Sequence, residues 1–271
     1  MDILLFDEIA NKIADELKNT TNDVNVISAY CKINTLEYID SFISPGVKKR
    51  LLVRFLPSDL AKGSTDKEIF AYCRENGWTL YYDFSIHAKT YIFDKVKCIL
   101  GSANLTNNGL NIYSNGNKEA STFFEIDDAG YTKIMTLYKD SKLVTDELFQ
   151  AIVSSITDEE AIRKSKKITI EEKIECLMPE DFPTDETDIV ELYNLKSYKW
   201  LISFLKDKEN NQSYYGEITK NIHDIFVKDP RPFRKDIKQH LTDLLDCIKR
   251  YELKNIKIER PNYSEVITLI K

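Results

Sequence analysis

The chain has few cysteines and no run of apolar residues approaching the ~18 that a bilayer-spanning helix needs, which argues against a membrane-embedded protein. Cys31, Cys73, Cys98, Cys176 and Cys247 are odd in number, scattered, and never in CxxC spacing. That usage suits a reducing, cytoplasmic setting and offers no zinc site. The first residues, MDILLFDEIANKIADEL, carry acids where a secretory leader carries bases, and their spacing predicts an amphipathic helix. The formal net charge is −6, which weighs mildly against a polyanion partner, although local charge decides binding. What is present is ordinary for a folded protein: 271 residues, 42% hydrophobic and 30% charged, enough for one large or two smaller domains with real cores.

One stretch concentrates the chemistry. Ile86–Asn104, IHAKTYIFDKVKCILGSAN, holds His87-x-Lys89, then Asp94, then Gly101-Ser102-x-Asn104. Lys89–Phe93 and Val96–Leu100 alternate like strands, and Asp94-Lys95 between them predicts a tight turn. On such a hairpin His87 and Lys89 share a face, because side chains two apart point the same way. Ser102 and Asn104 arrive at the end of the returning strand. A nucleophile or base, a cation and two hydrogen-bond donors at one place suit a phosphate group.

The pattern His87-x-Lys89-x4-Asp94-x6-Gly101-Ser102-x-Asn104 resembles the HxK(x)4D(x)6GSxN motif of the phospholipase D superfamily, with every spacing matched. The resemblance extends over roughly Met1–Ser155, and Asn117-x-Glu119 is similar to the family's N-x-E element, after a longer polar insert at Thr106–Gly116. It implies a phospholipase D-like α/β domain and a metal-independent phosphodiesterase with no cofactor. In that chemistry His87 is the covalent nucleophile, since a neutral imidazole can attack phosphorus and split one displacement into two. Lys89 neutralises phosphate oxygens as they gain charge; a lysine inside an apolar strand otherwise has little reason to bear its desolvation. Ser102 and Asn104 donate to the same oxygens or fix the imidazole, against the plainer reading of a strand-ending turn. Glu119 accepts from the second ring nitrogen of His87, with Glu125 as competitor. Asp94, at the turn, is assigned structure and no chemistry. His223 and His240 lack the HxK context and are read as structural or surface residues.

In chain order, helical spacing at Phe6–Leu17, Leu36–Phe42, Lys67–Glu75 and Gly130 to about Lys139 alternates with strand patterns. The strands are Val24–Tyr30, Arg50–Phe55, Trp78–Phe84, the hairpin, and Ser121–Ile126. That order predicts an α/β domain over 1–155, with a central mixed, largely parallel sheet flanked by helices. Residues 156–188 read as an acidic linker, since Thr157–Asp188 holds 11 acids against 5 bases. Its first part is a candidate helix (Asp158–Lys167) and Pro179–Asp188 an exposed connector. A DNA-mimicking guard is the functional reading of such a run, and a solvated spacer the plainer one.

Residues 189–271 reverse the charge balance, with 16 Lys+Arg and 12 Asp+Glu. Amphipathic Leu195–Leu205, Tyr214–Val227 and Phe233–Tyr251 precede alternating Leu253–Ile258 and Ser264–Ile270. Three helices and a terminal hairpin predict a mainly helical, winged-helix-like domain. Lys228, Arg231, Arg234, Lys235 and Lys238 near the third helix, with Lys254, Lys257 and Arg260 in the wing, are the candidate DNA-binding residues. A helical packing or dimerisation domain with ordinary surface charge is the alternative.

The superfamily usually takes its general acid from a second motif copy, but only His87 has a lysine two residues on. A homodimer sharing one site supplies the second imidazole, and closed two-fold pairing is the commonest assembly. The reading is therefore a nuclease acting on DNA or another nucleic acid, of a restriction or defence type. A lipid phosphodiesterase and a non-catalytic DNA-binding protein are the alternatives. No lid or basic membrane helix supports the former, and the intact motif opposes the latter.

Overall fold

The structure, a computed structural model, describes residues 1–113, 115–156, 174–227, 232–261 and 263–270. The chain divides into two compact units, Met1–Ile170 and Glu171–Lys271.

The first unit is built on an eight-stranded sheet. Its strands are β1 (Asp2–Leu5), β2 (Asp23–Ser28), β3 (Lys48–Val53), β4 (Trp78–Tyr82), β5 (Lys89–Phe93), β6 (Lys97–Gly101), β7 (Ala120–Glu125) and β8 (Lys142–Leu143). Between them run α1 (Asp7–Asn19), α2 (Ile33–Asp40), α3 (Pro57–Ala61), α4 (Ile69–Glu75), α5 (Asn107–Leu110) and α6 (Asp128–Met135), with α7 (Asp146–Ile156) after β8. Strand order is β1-β7-β6-β5-β2-β3-β4-β8. In α1, buried Ile9, Ala10, Ile13 and Leu17 recur at helical spacing and join a core with Val24, Val26, Leu51, Tyr91 and Ile99 of the sheet. On the opposite face α6 leads into a 3-10 turn, whose buried Tyr138 meets Tyr81 of β4 edge-on at 5.3 Å.

Two expectations are corrected here. The sheet is mixed but not largely parallel: of seven neighbouring pairs only β2·β3 and β3·β4 are parallel. Helical crossovers after β2 and β3 produce those two, whereas β5–β6 turns back directly and β5 inserts antiparallel beside β2. The N-terminal helix also begins later than its pattern suggests. Asp2–Leu5 pairs with β7 as an edge strand, and Phe6, at φ 53°, turns the chain into α1. Available pairing partners override a local helical pattern.

The second unit runs α8 (Ile189–Asn194), α9 (Lys196–Lys206), β9 (Gln212–Tyr214), α10 (Tyr215–Ile225), α11 (Arg234–Arg250), β10 (Ile256–Glu259) and β11 (Val266–Leu269). The strands form a three-stranded antiparallel sheet, β10-β11-β9. Apolar positions at helical spacing, Ile237, Leu241, Leu244, Leu245 and Ile248 of α11, are buried with Leu201, Ile218, Ile222 and Ile267. The expected exposed connector is partly folded into this unit. Leu177 is buried and bridges Phe226, while Phe182 stacks on His240 at 4.9 Å. Asp188 caps α8, accepting from the backbone N–H of Val190 and Glu191. Its acids therefore serve as caps and turns as well as surface charge. The helix expected over Asp158–Lys167 lies outside the described residues.

Candidate active site

The registers place the motif at one end of the sheet. Ser28 opposes both Lys89 and Val53, Val53 opposes Tyr82, Thr90 opposes Leu100, and Gly101 opposes Ser121. The carboxyl ends of β2, β3, β4 and β6 thus meet the amino ends of β5 and β7. On one side of β2 the neighbour is parallel, on the other antiparallel. Ligands in open α/β sheets bind outside the carboxyl ends of the strands.

His87 is exposed and lies in the loop two residues before β5 rather than in the strand. The buried Ile86 anchors that loop, and its N–H donates to Asp83 at 3.1 Å. The Asp83 carboxylate in turn accepts from Ser85 N–H (2.8 Å) and Oγ (2.7 Å). Lys89 is only 7% exposed, and its ammonium donates to the carbonyl of His87. Burial lowers the Lys89 pKa, Glu119 works against that shift and Arg54 adds to it. The pair thus couples an open imidazole to a partly desolvated cation.

Ser102, Asn104 and Glu119 converge on the same end through separate contacts. Ser102 Oγ makes a short hydrogen bond to Glu119 Oε2 and accepts from Ala120 N–H at 3.1 Å. Glu119 Oε1 accepts from Asn117 Nδ2 at 3.2 Å. The carboxylate is therefore held by Ser102 and Asn117, not by the His87 ring as expected. Glu125, the competitor, pairs with Lys97 at the other end of β7. Asn104 Oδ1 accepts from Tyr30 N–H (3.3 Å) and Ser28 Oγ (3.4 Å), and among the described residues its Nδ2 has no hydrogen-bond partner. The loop carrying it is tied to β2, since Leu105 N–H donates to Ser28 Oγ at 2.9 Å and Lys32 N–H to Leu105 O at 2.9 Å.

Two glycines permit this closeness. A Cβ on Gly101 would lie 2.1 Å from Ser121 Oγ and 2.4 Å from Ala120 O, so β6 and β7 meet there only without a side chain. On Gly109 of α5 a Cβ would lie 2.4 Å from Asn104 O. The segment read as a polar insert thus contains a helix seated against the Asn104 backbone, with Leu110 fully buried.

Asp94 sits at the opposite end of the hairpin. Its carboxylate accepts from the backbone N–H of Thr21 (2.9 Å), Asn22 (2.7 Å) and Asp23 (3.0 Å), joining the β5–β6 turn to the α1–β2 loop. Burial raises its pKa, but these hydrogen bonds prevail and hold it below the usual carboxylate value. Asp94 and Lys95 both have positive φ, 49° and 65°, in the three-residue turn that joins Phe93 to its strand partner Lys97.

Sequence reading missed Ser28, Tyr30, Arg54 and Asp59, which surround this site. The available signal was a polar residue where an apolar strand stops, Ser28 after VNVI and Arg54 after RLLV. Among the described residues no group of three or more His, Cys, Asp or Glu is placed to hold a metal ion.

In the second unit Arg234, Lys235 and Lys238 are exposed along the first turns of α11. Lys254, Lys257 and Arg260 are exposed around β10, with Lys257 paired to Glu259 at 2.7 Å and Arg260 donating to Tyr263 O at 3.4 Å. Lys228 and Arg231 lie outside the described residues. Two aromatics accompany the bases, Phe233 at 77% and Tyr263 at 96% exposure. Of the other histidines, His240 packs against both Phe182 and Phe226, which also touch each other, and His223 is near Asp224.

Residues 13–139 match the family model described as "Cardiolipin synthase, PLD-like domain". Similar solved structures include Nuc, a phospholipase D family member from Salmonella typhimurium (TM-score 0.42, 13% identity, covering 54% of this chain and 99% of that one). NucT from Helicobacter pylori has TM-score 0.39 and 16% identity, covering 57% and 96%. The phosphatidylserine synthase of Haemophilus influenzae Rd KW20 has TM-score 0.44 and 13% identity, covering 58% and 43%. No curated protein matches the sequence. The matched segment contains the whole HxK(x)4D(x)6GSxN pattern from His87 to Asn104, and residues 13–139 are a phospholipase D-like domain.

Proposed function

We propose that the protein is a metal-independent phosphodiesterase that cleaves nucleic acid through a phosphohistidine on His87, working as a homodimer with one shared site. The observation that carries this reading is the partly desolvated Lys89 ammonium bonded to the carbonyl of an exposed His87, with Asn104 Nδ2, unpartnered among the described residues, at the same sheet end. An unprotonated ring nitrogen of His87 attacks phosphorus, forming an N–P bond as the P–O bond to the leaving group breaks. The partner's His87 gives the leaving oxygen its proton, then takes one from the water that attacks the phosphohistidine and releases the product. Lys89 and Asn104 meet the charge that grows on the phosphoryl oxygens. Glu119, held by Ser102 and Asn117, supports the charge of Lys89.

A second His87 must come from another copy. Ile3 and Leu100 are exposed and flank Thr122, which both oppose, so the three lie in one row across the sheet. Leu100 lies two residues before Ser102, so this row runs up to the site and is the surface through which two copies pair.

The second unit is read as a winged helix that binds DNA, with α11 entering a groove and the β10–β11 hairpin as wing. Exposed Phe233 and Tyr263 beside Arg234, Lys235 and Arg260 support this, because bases and aromatics together suit a nucleic-acid surface. A cleavage unit joined to a DNA reader is the arrangement that a restriction or defence nuclease requires. The test is a substrate panel in excess EDTA: plasmid, single-stranded DNA, RNA and phosphatidyl vesicles. Loss of a nucleic acid is expected. Turnover of lipid alone, or none without added metal, overturns the reading.

A further inference from the structure

Beside the motif, and outside it, Arg54 follows the last residue of β3 and is clamped at the site end of the sheet. Its Nε and Nη2 donate side-on to the Asp59 carboxylate of α3 at 2.8 and 2.6 Å. Nη2 also donates to the Tyr30 hydroxyl at 2.8 Å, and the guanidinium carbon lies 4.8 Å from the Tyr30 ring centroid. Tyr30 is the residue whose main-chain N–H holds Asn104 Oδ1. A chain of contacts therefore runs from Asp59 through Arg54 and Tyr30 to the Asn104 carboxamide.

The backbone carries strain at this place. Phe55, the next residue, is fully buried with φ 53°, a left-handed conformation that bulky residues rarely adopt. That turn redirects the chain from β3 into α3, where Asp59 sits. Strained non-glycine residues gather where a functional geometry is fixed by its surroundings.

We propose that Arg54, gripped by Asp59, is a positioning residue of this site: through Tyr30 it fixes the Asn104 carboxamide so that Nδ2 faces the phosphate. The proposal rests on the phosphodiesterase reading for its kinetic consequences but not for its geometry. The guanidinium also acts on Lys89 electrostatically. Glu119 favours the charged ammonium while Arg54 and burial oppose it. Removing the Arg54 charge therefore raises the Lys89 pKa, whereas a lysine at position 54 keeps it down.

The experiment compares full-length wild type with Arg54→Gln, Arg54→Lys and Asp59→Asn on bis(p-nitrophenyl) phosphate across pH. Arg54→Gln is expected to lower kcat about 10–100-fold, the range typical of removing a group that orients a functional ligand, with KM changed less than about twofold. The Lys89 ammonium, followed by NMR titration, moves to a higher pKa. Arg54→Lys keeps the Lys89 titration in place and recovers part of kcat, and Asp59→Asn, which removes a negative charge, loses kcat without raising the Lys89 pKa. Asn104 side-chain amide resonances, assigned with Asn104→Asp, read the positioning without turnover: they shift in Arg54→Gln and much less in Arg54→Lys. An Arg54→Gln protein with wild-type kcat, Lys89 titration and Asn104 resonances overturns the proposal. Equal losses in Gln and Lys variants, with a lowered Tm and an unmoved Lys89 titration, overturn it in favour of a purely structural pair. A wild type that turns over no diester sinks the phosphodiesterase reading, and the amide resonances then decide positioning alone.

Discussion

Lys89 and Asp94 flank the same strand and have opposite electrostatics. Burial holds the Lys89 pKa below its ordinary value, so between the two values the folded state binds fewer protons than the unfolded chain. Stability then rises with pH toward ~10.4, the unfolded value, and the charged side chain is a burden at neutral pH. Lys89→Met should raise Tm at pH 7, with the gain shrinking as pH approaches ~10, while turnover falls at least ~10²–10³-fold. A lowered Tm would contradict this. Asp94 is the reverse case: its pKa is depressed, so its contribution is present above ~3.9 and is lost as pH falls through the folded value. Asn tolerates the positive φ but not the charge-assisted bonds. Asp94→Asn should lose about 1–3 kcal/mol at neutral pH in urea titrations, converge with wild type in acid, and retain kcat. The sequence made both residues legible because their spacing is fixed and local. Ser28, Tyr30 and Arg54 were not legible, since their relation to Asn104 depends on which strands become neighbours.

Among the elements, the hairpin β5–β6 was readable from alternation and its Asp94-Lys95 turn, and α9, α10 and α11 from apolar spacing. The antiparallel insertion of β5 next to β2 was not, because nothing local to either strand states the other's direction. The strand Asp2–Leu5 was hidden for a similar reason: its pattern suits a helix, and only the open edge of β7 decides otherwise. Where two elements meet at contact distance, a small change should act at the site. Gly101→Ala must push β6 from β7, because its Cβ would meet Ala120 O at 2.4 Å. It should separate Ser102 from Glu119 and lower both kcat and Tm. Ser102→Ala, which breaks the same contact without moving the strands, should lower kcat with little change in Tm. Identical thermal losses in the two variants would refute that division.

At the scale of the molecule, assembly and DNA binding are independent claims. If two His87 side chains serve one site, wild-type protein exchanged with an equal amount of His87→Ala protein keeps about half of its activity, because mixed dimers lack one imidazole; independent sites would keep all of it. Leu100→Arg should yield monomers that are folded and inactive. For the second unit, reversing the charges of Arg234, Lys235 and Lys238 in the full-length protein should weaken duplex binding and flatten its salt dependence, since fewer counterions are released. Unchanged binding would leave the second unit with a packing or dimerisation role. The central claim is the covalent step on His87, and it can be observed directly. The full-length protein is mixed with substrate labelled at phosphorus in EDTA, quenched in alkali, where phosphohistidine survives, and digested to peptides. The account predicts alkali-stable, acid-labile label on the peptide containing His87 and none in His87→Ala; label elsewhere, or turnover by His87→Ala at the wild-type rate, would contradict it.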